Sequence, residues 1–464
     1  MPVTCVKRPS RELAARRLGL SLVVVALGGA PARAQQIPTG YQEYFVLGHE
    51  QQVFHLLDRV IDGEGAGYTP GNGNNSVVSA VASADGQRIY YDHWEDGLEA
   101  DILNPVQATT WILGDGDTSN GDACLWTTSN CAGDVITPGM EITLNSDQGL
   151  PGLGPGCAFA GTPVQIRCSV PLNPRCPPPP LPTDPVWMGC RAANNQDVRF
   201  DGGDRIVSSG GPVSFVHNQD PKCAAGCGAG VYDMTIIGGA TEVLSKQAFQ
   251  NATSYSVPIG QNLYGGAGTA TEPFRYTALQ LLAFEDNTSV VVTSPGSATL
   301  SFTLNRGEHF TSCDTFNGAV ARRPCTSGQI DGPTRSVNVT PAITINSGTK
   351  VSTSAPISGL MFAAGNGTFA THFMPLLPDL LHATDYLIPT VGDYSGPAPF
   401  PYSQGDNRPT NHYLFNPDPA NGVVVRWTDS LGTGTVTIAP NSTVNYCAAT
   451  GRGLPDCVPE SSTV

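Results

Sequence analysis

Apolar and polar residues alternate with a period of two over much of the chain beyond residue 40. Thr299-Leu300-Ser301-Phe302-Thr303-Leu304, Ala342-Ile343-Thr344-Ile345 and Gly434-Thr435-Val436-Thr437-Ile438 each carry β-branched or aliphatic side chains on one face, with Gly or Asn at their ends. Helical periodicity is nearly absent. Residues 50–60 and 374–383 are weak helical candidates, the second interrupted by Pro375 and Pro378. The pattern predicts an all-β chain.

The same order of segments recurs. Residues 276–292, a strand, a polar turn and a strand, match 411–427 at an offset of 135, and 302–307 match 436–441 at 134. Residues 81–90 are a further copy of the opening hairpin. Gly203-Asp204-Arg205-Ile206-Val207-Ser208-Ser209, followed by Pro212-Val213-Ser214, parallels Gly348-Thr349-Lys350-Val351-Ser352-Thr353-Ser354, followed by Pro356-Ile357-Ser358, at offsets of 145 and 144. Residues 255–258 parallel 386–389 at 131.

One period holds about seven or eight short strands, enough for two four-stranded sheets, so internally repeated antiparallel sheets in a β-propeller of about six blades are the preferred architecture. Tandem β-sandwiches use the same strands and turns and stay open as the alternative. Residues 35–458 are expected to form this single repeated domain, with a Cys- and Pro-rich loop insertion at 115–190 and a tail at 459–464.

Residues 1–34 have a different character. Lys7, Arg8, Arg11, Arg16 and Arg17 precede an apolar run at 18–30 and then Ala32-Arg33-Ala34, the order of a signal peptide cleaved before Gln35. That run is shorter than the ~20 residues of a membrane span, and no second one of that length follows. The mature chain is therefore expected to be exported, to the medium, the cell surface or the periplasm, without a transmembrane segment. Charged residues make up 14% of the chain, and Gly 53 with Pro 39 marks it as turn-rich. Losing residues 1–34 removes a net +5 from the formal −15 and leaves −20. Such a charge repels phosphate backbones, which disfavours nucleic acid and leaves extracellular proteins or glycans as the partner classes.

Cys5 leaves with the leader, and the remaining twelve of 13 cysteines fall in close couples: Cys124 with Cys131, Cys157 with Cys168, Cys176 with Cys190, Cys223 with Cys227, Cys313 with Cys325, and Cys447 with Cys457. Each couple brackets a short loop rich in Gly, Pro, Asn or Asp. In an exported chain this predicts local disulfide staples, although the couples within 124–190 have alternative connectivities.

Tyr91, Asp92, His93, Trp94, Glu95 and Asp96 are the best candidate ligand site. With Glu99 and Asp101 they place five carboxylates in ten residues, chemistry suited to a hard cation or a saccharide. The plainer expectation is a solvated turn with Trp94 packed on the rim. Asp115, Asp117, Ser119 and Asp122 offer oxygens at alternating positions, as calcium loops do, but Gly and Glu do not fall where an EF-hand needs them. An ordinary Asx-rich turn has the same composition. Calcium is the one cofactor these residues suggest. His49, Glu50 and His55 miss the H-E-x-x-H zinc spacing, and the sequence holds no nucleophile elbow or phosphate-binding loop.

The paired Ser-rich segments at 203–214 and 348–358, with the Asp-Asn-Thr-Ser-Val-Val-Val turn at 286–292, resemble the repeats of the IgGFc-binding protein N-terminal domain family. Tyr90-Tyr91-Asp92-His93-Trp94-Glu95-Asp96-Gly97 and Arg199-Phe200-Asp201-Gly202-Gly203-Asp204 resemble exported bacterial proteins of the same layout. The likeness spans roughly residues 40–450 and implies a secreted, surface or matrix binding module, not a catalyst. It assigns no ligand-binding residues. The expectation is a non-catalytic binding or adhesion protein. The alternative is a secreted carbohydrate-active enzyme, glycosidase- or lyase-like, using the acidic cluster at 92–101. That alternative requires Asp92, Glu95 or Asp96 to face a second carboxylate, such as Asp201 or Asp204, across a cleft.

Overall fold

The computed structural model is 45% strand and 7% helical, an all-β protein. It describes residues 37–48, 74–94, 97–107, 109–145, 200–221, 239–265, 274–312, 328–332, 337–364, 372–383, 387–388, 413–429, 432–446 and 462–463. The chain divides into Met1–Ala34, which lies outside the described residues, and Gln35–Val464, which holds every element below.

Strands β1 (Gln42–Phe45), β2 (Asn74–Ala82), β3 (Arg88–Asp92), β4 (Trp111–Leu113), β5 (Glu141–Asn145), β6 (Arg205–Ser209), β7 (Val213–Pro221) and β8 (Gly239–Val243) make the first repeat. Its two sheets run β1-β6-β3-β4 and β5-β2-β7-β8. The second repeat comprises β9 (Ser254–Ser256), β10 (Tyr276–Ala283), β11 (Thr288–Thr293), β12 (Leu300–Leu304), β13 (His309–Thr311), β14 (Gly328–Asp331), β15 (Val337–Val339), β16 (Lys350–Thr353), β17 (Ile357–Ala364) and β18 (His372–Pro375). Its sheets run β9-β16-β11-β12 and β13-β10-β17-β18, the latter extended beyond β13 by β14 and β15. The third comprises β19 (Leu387–Ile388), β20 (Tyr413–Asn416), β21 (Val423–Asp429), β22 (Gly432–Ile438), β23 (Ser442–Asn445) and β24 (Ser462–Thr463), in sheets β19-β24-β21-β22 and β20-β23. Strand for strand the orders coincide, and all pairings are antiparallel, so the sequence repeat is a repeat of topology.

The small sheets stand in a ring that resembles a four-bladed β-propeller. This corrects the expected count of about six, which gave each of three sequence copies two full blades. The first two repeats each bury an apolar core. Val78, Ile89, Trp111, Ile142, Ile206 and Phe215 from both sheets of the first repeat share one cluster; Leu279, Leu281, Val290, Leu304, Phe310 and Val351 of the second share another. Each such side chain contributes roughly 1.5–3 kcal/mol when fully buried. In the third repeat, by contrast, Asn416, Ile438 and Tyr446 are the buried residues among those described. Facing sheets that share a core are common to neighbouring blades and to sandwiches, which is why strand pattern alone left both open.

Burial follows the alternation. β11 reads buried-exposed three times over, whereas all eight residues of β10 are buried, in keeping with its near-continuous apolar sequence. Three local expectations change. β5 is an integral sheet strand although it falls within the expected insertion, and β24 pairs with β19 and β21 although it falls within the expected tail. Residues 374–383 are the end of β18 and a 3-10 turn at Asp379–Leu381, because Pro375 and Pro378 deny a helix its N–H donors. Ile343 and Ile345 are buried but lie outside any strand, while residues 50–60 fall outside the described residues.

His217 on β7 is sealed between strands. Its Nδ1 lies 2.7 Å from the Leu47 carbonyl, which can only accept, so Nδ1 carries the proton and Nε2 accepts from Ser76 Oγ at 2.7 Å. Burial pulls its pKa down to about 4. The folded state thus holds a neutral imidazole where the unfolded chain takes up a proton below about 6.5. Stability is expected to be unaffected by this group above about 6.5 and to fall as pH drops to about 4, by on the order of 3 kcal/mol. Urea unfolding of wild type and His217→Gln between pH 7 and 4 checks this, the variant showing the shallower acid loss.

Candidate functional site

The acidic motif begins on β3, whose last residues Tyr90, Tyr91 and Asp92 are buried, and runs on through His93 and Trp94. β6 lies beside it, with Asp92 opposite Arg205 and Tyr91 opposite Ile206. The two motifs separated by more than a hundred residues therefore meet at one end of the sheet. Trp94 lies over Gly203, where a Cβ would sit 2.6 Å from its Cδ1 and where φ is +114°, so only glycine fits beneath the indole.

Asp204 is the hub. Its Oδ2 accepts from Tyr91 Oη at 2.7 Å and from the Asp201 N–H at 3.0 Å, and its Oδ1 accepts from the Trp94 N–H at 3.2 Å. His93 Nδ1 lies 3.5 Å from Oδ2. Asp201 Oδ1 accepts from Trp94 Nε1 at 3.3 Å. Asp92 faces the other way, accepting from the Glu99 N–H at 2.8 Å and from Thr110 Oγ1 at 3.4 Å. Glu99 Oε1 in turn accepts from the N–H groups of Val106 and Gln107, both at 2.6 Å. Beside this network Arg205 Nε donates to Glu43 Oε1 at 2.7 Å and Nη1 donates to the Glu99 carbonyl at 3.3 Å. Lys246 reaches the second Glu43 oxygen at 3.9 Å and Glu285 at 3.3 Å, leading the charge network out to the surface.

The expected solvated turn is thereby corrected for Asp92, His93 and Trp94, which are 0%, 2% and 2% exposed. Asp92 takes donors from Glu99 and Thr110, while His93 and Trp94 find acceptors in Asp204 and Asp201, so the run folds inward. Phe200 packs edge-on against Tyr91 and Trp111, both with centroids at 5.0 Å, and Trp94 meets His309 of the second repeat at 6.1 Å. Glu95 and Asp96 fall outside the described residues.

Asp115, Asp117, Ser119 and Asp122 form a chain of turns. Asp115 accepts from the Asp117 N–H at 2.8 Å and from Asn120 Nδ2 at 3.1 Å; Asp117 accepts from Ser119 N–H and Oγ at 3.0 and 2.6 Å; Asp122 accepts from the Cys124 N–H at 2.9 Å. The Ser119 bonds hold the exposed Asp117 carboxyl below its ordinary pKa. Among the described residues no group of three or more His, Cys, Asp or Glu is arranged to hold a metal ion. The loop's organiser, Asp134, carries no sequence signal. Buried, with φ of 51°, it accepts from the N–H groups of Gly114, Asp115 and Ala123 at 2.9, 2.9 and 2.7 Å and from Gly116 at 3.3 Å. Cys124 and Cys131 are joined as expected. The other five couples lie outside the described residues.

Comparison with protein-family models, with curated proteins and with solved structures gives no match for this chain. No described helix is long and apolar enough to cross a membrane.

Asp204→Ala strands three donors in a dry site and is expected to cost about 3–5 kcal/mol, with Asp134→Ala costing about 2–3 kcal/mol by releasing the 114–123 loop. Denaturant unfolding measures both. Because these carboxylates already accept hydrogen bonds from within residues 115–124, the melting temperature is expected to be the same in millimolar calcium and in chelator. A calcium-dependent rise abolished by Asp115→Asn and Asp117→Asn identifies that loop as a calcium site instead.

Proposed function

We propose that the protein is an exported, non-catalytic binding or adhesion module that recognises an extracellular protein or glycan. The observation carrying the proposal is how the carboxylates are spent. Asp92, Glu99 and Asp204 accept hydrogen bonds from the protein's own N–H and O–H groups and are 0%, 3% and 0% exposed. A glycosidase needs its acid and base on either side of a substrate, about 5–10 Å apart and reachable. Carboxylates buried in this way hold loops in fixed positions, which suits a preorganised recognition surface.

Export is supported by the leader-like residues 1–34 and by the Cys124–Cys131 bond, since disulfides persist in oxidising compartments. The resemblance to IgGFc-binding protein repeats supports the same class, and the two motifs that carry its bacterial version are the ones that interlock through Asp204 and Trp94. A formal charge of −20 for the chain from Gln35 favours basic or neutral ligands.

Glycan and protein arrays probed with the purified protein test the reading. The expected result is saturable binding to at least one ligand class and no release of product from glycoside substrates. Turnover of any glycoside that disappears in Asp92→Asn would falsify it.

A further inference from the structure

In an Asn-Gly pair the backbone nitrogen that follows the asparagine can reach its side-chain amide carbon with no Cβ in the way. Whether it does so depends on how the fold holds both residues. Among the described residues the chain has two such pairs, Asn120-Gly121 and Asn421-Gly422, and they are held differently.

Asn120-Gly121 is locked. Asn120 Oδ1 is buried, its Nδ2 donates to Asp115 Oδ2 at 3.1 Å, and its backbone N–H and carbonyl bond to Asp117 and Ile112. Gly121 is pressed against Ile112, where a Cβ would lie 2.6 Å from the carbonyl oxygen. Asn421-Gly422, between β20 and β21, is exposed at both residues and is tethered on the asparagine side. Asp418 Oδ1 accepts the Asn421 N–H at 3.0 Å, Oδ2 accepts Asn421 Nδ2 at 3.0 Å, and the Asn421 carbonyl accepts from Asn416 Nδ2 at 2.8 Å. The glycine side is open. A Cβ on Gly422 would meet nothing nearer than the Ile438 carbonyl oxygen at 3.4 Å, an ordinary contact, and the Gly422 N–H enters no hydrogen bond among the described residues.

We propose that Asn421 is a site of spontaneous conversion by water to aspartate and isoaspartate, and that the conversion loosens the turn joining β20 to β21. The Gly422 nitrogen gives its proton to hydroxide and attacks Asn421 Cγ; a C–N bond closes a cyclic imide as the Cγ–Nδ2 bond breaks, and ammonia leaves with a proton from water. Water then opens the imide at either carbonyl. Opening at Cγ leaves aspartate, opening at the main-chain carbonyl leaves isoaspartate with a methylene added to the backbone, and the net change is water consumed and ammonia released. The product lacks the Nδ2 donor to Asp418 and sets a second carboxylate beside it. Asp418 is charged there, because the Ala420 N–H and both Asn421 donors hold its carboxyl below its ordinary pKa. The disturbance reaches further than the turn. Asn416 Nδ2 also donates to the Ile438 and Ala439 carbonyls at 3.3 and 3.0 Å, and the Asp418 carbonyl accepts the Asn441 N–H at 2.8 Å, so the same cluster ties the end of β20 to the turn between β22 and β23.

The test is peptide mapping by mass spectrometry of the purified protein held at mildly alkaline pH, with isoaspartate counted by enzymatic methylation and the urea-unfolded chain as reference. Both asparagines convert in the unfolded chain. In the folded protein Asn421 is expected to convert roughly tenfold or more faster than Asn120, and Gly422→Ala, which the 3.4 Å spacing tolerates, is expected to slow Asn421 by a similar factor. Asn421→Asp, the product made directly, is expected to melt a few degrees below wild type. Asn421 left intact in the folded protein after the unfolded chain has converted, conversion no faster than at Asn120, or conversion undiminished in Gly422→Ala overturns the site. Unchanged melting of Asn421→Asp overturns the loosening.

Discussion

A charge taken out of water costs several kcal/mol unless partners replace its hydration, and the first repeat accepts that cost twice at adjacent residues. Asp204 and Arg205 sit at the start of β6, the strand between β1 and β3. Arg205 reaches across one side to Glu43 on β1, and Asp204 reaches across the other to Tyr91 and Trp94 on the β3 run. One dipeptide therefore ties both neighbours of its strand. The bonds also fix what lies beyond the strands. Trp94 can be reached by Asp204 only where residue 203 lacks a side chain, and Glu99 can take the Val106 and Gln107 N–H groups only while Asp92 holds its own N–H.

The second repeat shows that the fold itself does not demand these charges. At the position of Asp204 it carries Thr349, whose hydroxyl bonds Ser294 and the Asn346 carbonyl; at the position of Arg205 it carries Lys350, partly exposed and directed to Ser256 and Asp379. The same four-strand order forms with short neutral bonds and one peripheral ion pair. The Asp204 hub and the buried Arg205–Glu43 pair thus belong to the first repeat, added to a strand order that forms without them. That separates what the sheet order needs from what the first repeat adds to it.

Nearest-neighbour features were legible in the sequence and long-range ones were not. The 135-residue offset that aligned 276–292 with 411–427 is the offset between β11 and β21, and the Ser-rich segments with their proline breaks became β6 with β7 and β16 with β17. Alternation reports which face of a strand is dry, and a repeat copies that report. Burial of His93 and Trp94 was hidden because their partners come from residues 201–204, and that of Asp92 because its donors lie in the loop after it; a run of carboxylates reads as solvated until such partners are known. Asp134 was invisible for the same reason: nothing in its neighbours says that four N–H groups of a loop far upstream converge on it. The blade count failed differently. Pattern reports how many copies the chain carries, whereas a blade exists only when its faces find apolar partners.

Among the described residues the third repeat buries few side chains, and the sheet of β21 and β22 leans on other contacts. Trp427 lies opposite Gly434 and covers it, filling space a side chain there would occupy, and meets Tyr446 edge-on at 5.7 Å. The other face of β21 and β22 pairs Val424 with Thr437, Arg426 with Thr435 and Thr428 with Thr433, all of them exposed. β-branched residues favour the extended backbone even at an exposed face, and the threonine hydroxyls keep that face polar, while Tyr413 of β20 packs edge-on against Phe274 of the second repeat at 4.9 Å.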